Sequence, residues 1–137
     1  MTPQHVRFSH DIAPLRRTGP RKAVLMENFW FMSKDLGFID VEAGFDTDYA
    51  SVPRIFWSIY PPDGSYTEAA VIHDALYWYQ SVHGRPITRK QADGVFLEAM
   101  EHLGIPLHRR RILYRAVRLG GWVAWNKRAK EIQHEQS

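Results

Sequence analysis

The chain has 137 residues, 45% hydrophobic and 13% aromatic, with 18 Lys and Arg against 15 Asp and Glu and a formal net charge of +3. That suits one folded domain over residues 1–137 and is too apolar for a disordered chain. With no cysteine there is no disulfide framework and no thiolate metal site, and no run of residues approaches a membrane-spanning helix.

Residues 1–23 are polar and broken by Pro3, Pro14, Gly19 and Pro20, so they read as a loop-rich arm with one short strand at 5–9. The start lacks the charged and apolar regions of a signal peptide. A β-hairpin is expected over 24–46. Residues 24–33 are rich in large apolar side chains, Asp35-Leu36-Gly37 makes a turn, and 38–43 alternate apolar with polar. The next stretch, residues 45–54, is a dense polar elbow containing Asp46, Asp48, Ser51 and Arg54. Pro53 suits the first turn of a short helix, with Ser51 or Asp48 as its cap and Arg54 paired to Asp46 or Asp48.

A helical core is expected over 47–131. Ser65 and Glu68 have capping-box spacing and open a long helix to about 82. Residues 83–86 break it. Thr88 and Gln91 form a second box, opening a helix to about 103. The last long helix covers 107–131, with Ile112, Leu113, Ala116, Val117, Leu119, Val123 and Ala124 as its apolar stripe and Arg111, Arg115 and Arg118 on the other face. Gly120-Gly121 inside it weakens the helix or permits a close crossing. The predicted architecture is α+β, an N-terminal β-hairpin region followed by three long helices.

The chemistry concentrates in the first two helices. His73 and Tyr77 are four apart and share a face, and Asp93 lies at the centre of the second helix. If the two helices pack antiparallel, Asp93 reaches His73. A carboxylate that fixes an imidazole tautomer is the core of many water-activating sites. The same His-Asp-Tyr group is also what a buried polar network that fixes helix register would contain. The cations of the last helix read as a solvated face or as a phosphate-binding surface. Among the aromatics, some of Trp30, Trp57, Trp78 and Trp125 are expected to be exposed and to mark a contact surface.

Two resemblances follow from these residues. Gly44-Phe-Asp-Thr-Asp48-Tyr-Ala-Ser51-Val-Pro53-Arg54, then Ala69-Ala-Val-Ile-His73-Asp74-Ala-Leu-Tyr77, then Ala92-Asp93-Gly-Val-Phe96, then Tyr114-Arg-Ala-Val-Arg118 together resemble the phage and prophage family known as domain-of-unknown-function family 1353. That resemblance implies a phage or prophage protein, acting in the host cytoplasm or the virion. More narrowly, His73-Asp74-x-x-Tyr77 followed by Asp93 is similar to the helix pair of phospholipases A2, above all the compact prokaryotic kind. It implies that His73 takes a proton from water, Asp93 orients it, Tyr77 bonds to Asp93, and Asp74 ligates calcium. The Gly-rich calcium loop and stapling cysteines of those enzymes are absent. The elbow stands where that loop would be, so Asp48 joins Asp74 as a candidate ligand.

Two classes of function remain. One is a hydrolase, phospholipase A2-like, with His73, Asp93 and Tyr77 in the catalytic group and a divalent cation, calcium before zinc, on Asp74 and Asp48. Its target would be a component of the host envelope. The other is a non-enzymatic virion or accessory protein that binds other phage proteins, with the same cluster as scaffolding. Nucleic-acid binding through the Arg-rich helix ranks behind both. An HD-type phosphohydrolase is disfavoured, because His5, His10, His83, His102, His108 and His134 lack the spacing of further metal ligands.

Overall fold

The computed structural model describes residues 6–48 and 65–136. Their elements are β1 (Leu15–Gly19), β2 (Lys22–Leu25), β3 (Phe29–Ser33), β4 (Gly37–Val41), β5 (Asp46–Thr47), α1 (Thr67–Tyr79), β6 (Ser81–Val82), β7 (Arg85–Pro86), α2 (Arg89–His102), α3 (Leu107–Gly120) and α4 (Trp122–Gln136). Five strands precede the long helices and only the short β6–β7 pair interrupts them, so the protein is α+β. Ser51, Arg54, Trp57 and the short helix expected after Pro53 lie outside the described residues.

The hairpin expected from the alternating pattern is β3–β4. Phe29 pairs with Val41, Phe31 with Ile39 and Ser33 with Gly37, and this face is buried apart from the turn glycine. Gly37 turns the chain at φ 77°, a conformation open to glycine. Of the strand expected at 5–9, position 5 lies outside the described residues and 6–9 keep one bridge, Phe8 to Phe31.

The arm is not all loop. β1 and β2 form a second antiparallel hairpin, and β5 extends it into a three-stranded sheet in the order β1-β2-β5. Its strand pattern is hidden because Arg16, Arg17 and Thr18 are all exposed, so β1 shows no apolar alternation. The single strand expected at 24–33 is therefore two, belonging to different sheets, with Met26, Glu27 and Asn28 as the bend between them.

Helix α1 is the centre of the core. Eight of its residues are buried, from Ala69 to Tyr77. The first capping box does not form: Glu68 turns away and accepts the Ala13 amide at 2.9 Å, tying the arm to α1. The helix stops short of 82 because Gln80 goes left-handed at φ 54°. A small hairpin, β6–β7, follows, with positive φ at both His83 and Gly84, as a two-residue primed turn requires. The second box does form, with Thr88 and Gln91 each bonding the other's backbone N–H. Glu98 of α2 accepts from Ser33 Oγ at 3.0 Å, from the Lys34 amide at 2.9 Å and from the Arg7 guanidinium. That cluster fastens α2 to β3.

The last helix is two helices, so the described residues hold four long helices rather than three. The break is at Gly121. A Cβ there would lie 2.3 Å from Tyr77 Oη and 2.5 Å from the Val117 carbonyl oxygen. The backbone of Gly121 is in the ordinary helical region, at φ −67° and ψ −19°. Glycine is thus required for space and not for φ. Of the expected apolar stripe, Leu113, Ala116 and Val117 are buried, while Ile112, Leu119 and Val123 face out. No helix among the described residues is long and apolar enough to cross a membrane.

Candidate active site

Helices α1 and α2 pack side by side and bring His73, Tyr77 and Asp93 together. His73 Nε2 lies 2.7 Å from Asp93 Oδ1, and Tyr77 Oη donates to the same oxygen at 2.7 Å. The other carboxylate oxygen, Oδ2, receives Arg89 Nη1 at 3.2 Å and Arg118 Nη1 at 2.7 Å. Phe96, one turn beyond Asp93, stacks on the imidazole with ring centres 4.5 Å apart. His73 and Asp93 are both 0% exposed. No buried side-chain nitrogen or oxygen among the described residues lacks a hydrogen-bond partner.

The electrostatics assign the protons. Burial holds the His73 pKa below its ordinary value, against the pull of Asp93, so the imidazole is neutral. Burial also acts to raise the Asp93 pKa, but the hydrogen bonds and charge of its neighbours outweigh it and hold the group below the usual carboxylate value. Burial, reinforced by the negative charge of Asp93, raises the Tyr77 pKa, so its hydroxyl stays protonated and donates. An ionised Asp93 facing a neutral His73 requires the imidazole proton on Nε2, which leaves the ring lone pair on Nδ1.

This arrangement has a pH signature. The unfolded chain binds a proton on His73 near pH 6.5, and the folded chain resists it. Stability is therefore fully present above pH 6.5 and is expected to fall as the pH drops below it, by up to about 1.4 kcal/mol per pH unit. His102, also lowered by partial burial, acts in the same direction. Urea unfolding between pH 5 and 8 on wild type and His73→Gln separates the two, because the variant should lose only the part due to His73.

Arg89 and Arg118 were not among the residues expected at this site. Arg89 had a signal, since it stands four before Asp93 on one helix face. Arg118, expected on the face away from the apolar stripe, reaches back from α3 to Asp93 instead, and its one signal is its place in the Tyr114–Arg118 block of the family resemblance.

Asp74 points elsewhere. It accepts Thr47 Oγ1 at 2.6 Å and so links α1 to β5. Asp46, Asp48 and Asp74 line a groove of about 850 Å³ together with Tyr77 of α1 and Lys127 and Arg128 of α4. Asp46 and Asp48 are exposed. A hard cation needs about six oxygen ligands. Among the described residues no three His, Asp or Glu side chains gather to hold a metal ion. Asp48 and Asp74 do not by themselves make that set.

A family model described as "Protein of unknown function (DUF1353)" matches residues 23–117. The uncharacterized protein y4jT of Sinorhizobium fredii (strain NBRC 101917 / NGR234) is 32% identical to the chain over 113 residues, covering 74% of the chain. The chain spans about a third of that relative, 32% of its length. No solved structure matches the chain.

Proposed function

The chain belongs to the family of proteins of unknown function DUF1353, and from that premise we propose that it is a phage- or prophage-encoded hydrolase with His73 as its general base. The observation that supports this reading is a neutral imidazole whose Nε2 proton is held by a carboxylate fixed from three other sides. Water is a poor nucleophile near neutral pH. A neutral imidazole aimed by a rigid partner takes a proton from water as the water oxygen attacks an ester carbonyl, and the imidazolium, held by Asp93, returns that proton to the departing alkoxide as the acyl C–O bond breaks. Tyr77, Arg89 and Arg118 touch Asp93 and not the reacting atoms, so they are positioning residues. The reaction class is ester hydrolysis, with the phospholipase A2-like helix pair suggesting a phospholipid of the host envelope as substrate. A divalent cation near Asp74 and Asp48 is not needed for the proton transfer itself.

A second reading is favoured by a different observation. His73 is closed to solvent, so without an opening motion no substrate reaches it. On that reading the network fixes the register of α1 on α2, and the protein is a virion or accessory component that acts by binding.

One substitution divides the two. The glutamine of His73→Gln keeps an N–H donor for Asp93 but has no basic nitrogen. The hydrolase reading expects His73→Gln to lower ester hydrolysis by about 10²–10⁴-fold while leaving stability near that of wild type. His73→Ala should lose about 1–3 kcal/mol as well, because Asp93 loses a partner. The assay uses phospholipid vesicles and a soluble chromogenic ester. If wild type hydrolyses neither, the hydrolase reading fails and the register reading stands.

A further inference from the structure

From the outer face of α3 and α4, we infer that the protein docks on an anionic lipid surface. Leu119 is 79% exposed, Val123 58%, Trp122 54% and Ile112 41%. Ile112 and Leu119 are seven apart and share one face of α3. Trp122 and Val123 open α4 directly after it, across the one-residue join at Gly121, whose N–H bonds Val117 O at 2.8 Å and whose carbonyl accepts Trp125 N at 3.0 Å. Single exposed apolar residues are ordinary, whereas a stripe of four large ones is not.

The charge around the stripe selects the partner. Residues 102–130 contain eight Arg and Lys and no Asp or Glu. Three of these cations are used internally: Arg110 on the Ile105 carbonyl, Arg118 on Asp93, and Arg128 on the Trp78 carbonyl. Arg111 and Arg115 are exposed beside the stripe. An anionic bilayer takes both components at once, with phosphates on the guanidiniums and Trp122, Leu119 and Val123 in the region between headgroup and acyl chain. Nucleic acid would satisfy the arginines but would leave the apolar stripe in water. This inference does not depend on His73 and holds whether or not the protein is a hydrolase.

The test is co-sedimentation of the full chain with phosphatidylcholine vesicles and with vesicles of phosphatidylcholine and phosphatidylglycerol. Binding is expected to the second kind, falling as salt is raised. Arg111→Gln with Arg115→Gln should weaken it roughly 30-fold, since each cation near such a surface contributes about fivefold. Leu119→Ser with Trp122→Ser should weaken it at least about tenfold. These side chains are exposed, so circular dichroism should show both double variants folded. His73→Gln should bind as wild type does, which separates this inference from the hydrolase reading. Three results would overturn it. The first is no binding to anionic vesicles. The second is tighter binding to duplex DNA that is indifferent to the Leu119/Trp122 pair. The third is a wild-type dimer that the same pair makes monomeric.

Discussion

Asp93→Ala is expected to lower folding stability by about 3–5 kcal/mol, read as the shift in a urea unfolding curve at pH 7.5. The carboxylate is fully buried and accepts from His73, Tyr77, Arg89 and Arg118. Removing it leaves a buried imidazole N–H and a buried phenol without an acceptor, and two guanidiniums without a counter-charge. Arg89 and Arg118 are 19% and 30% exposed and can turn partly to water, which keeps the loss from being larger. Asp93→Asn keeps an acceptor oxygen but not the charge, so it should fall between alanine and wild type. A loss below about 1 kcal/mol for Asp93→Ala would mean that the network contributes little to folding.

Gly121→Val is expected to lower stability by about 3 kcal/mol or to yield insoluble protein, because the site has no room for even one added carbon. The first atom met is Tyr77 Oη, at 2.3 Å from an ideal Cβ, and the Val117 carbonyl oxygen follows at 2.5 Å. The milder Gly121→Ala shows the cause through a double-mutant cycle. In a Tyr77→Phe background the hydroxyl is gone and the nearest ring atom, Cζ, is 3.2 Å away. Alanine should then be less harmful than in wild type, with a coupling of about 1 kcal/mol. Rescue should be partial, since the Val117 oxygen is backbone and remains. Strict additivity would show that the clash with Tyr77 is not what excludes a side chain at Gly121.

Local patterns made part of this molecule readable in its sequence. His73 and Tyr77 share a face by helical spacing alone, and any antiparallel packing of α1 on α2 brings Asp93 to them. Thr88 and Gln91 meet the whole requirement of a capping box within four residues. Tertiary contacts hid the rest. Glu68 has the right spacing for a box but is claimed by the Ala13 amide. The β1 strand bears exposed arginines, so nothing in its pattern separates it from a loop. On the last helix apolar periodicity reports a shared face and not what covers it: Leu113, Ala116 and Val117 of the stripe are buried, whereas Ile112, Leu119 and Val123 are exposed. Arg118 was misplaced for the same reason, since only the assembled fold carries it to Asp93.

The position of Asp93 also governs how the protein loosens. One carboxylate joins α1 through His73 and Tyr77, α2 through its own backbone and α3 through Arg118. None of these helices can leave without breaking a charge-assisted bond that the others share, so the three should open as one cooperative unit. Helix α4 has no buried residue and is held by half-buried contacts, such as Trp125 against Tyr77 and Gln80 Nε2 on the Trp125 carbonyl. Its backbone amides should therefore exchange with solvent well before those of the other three. The molecule is built as a rigid trio with a detachable fourth member, and the hinge between them is the single glycine that nothing larger can replace.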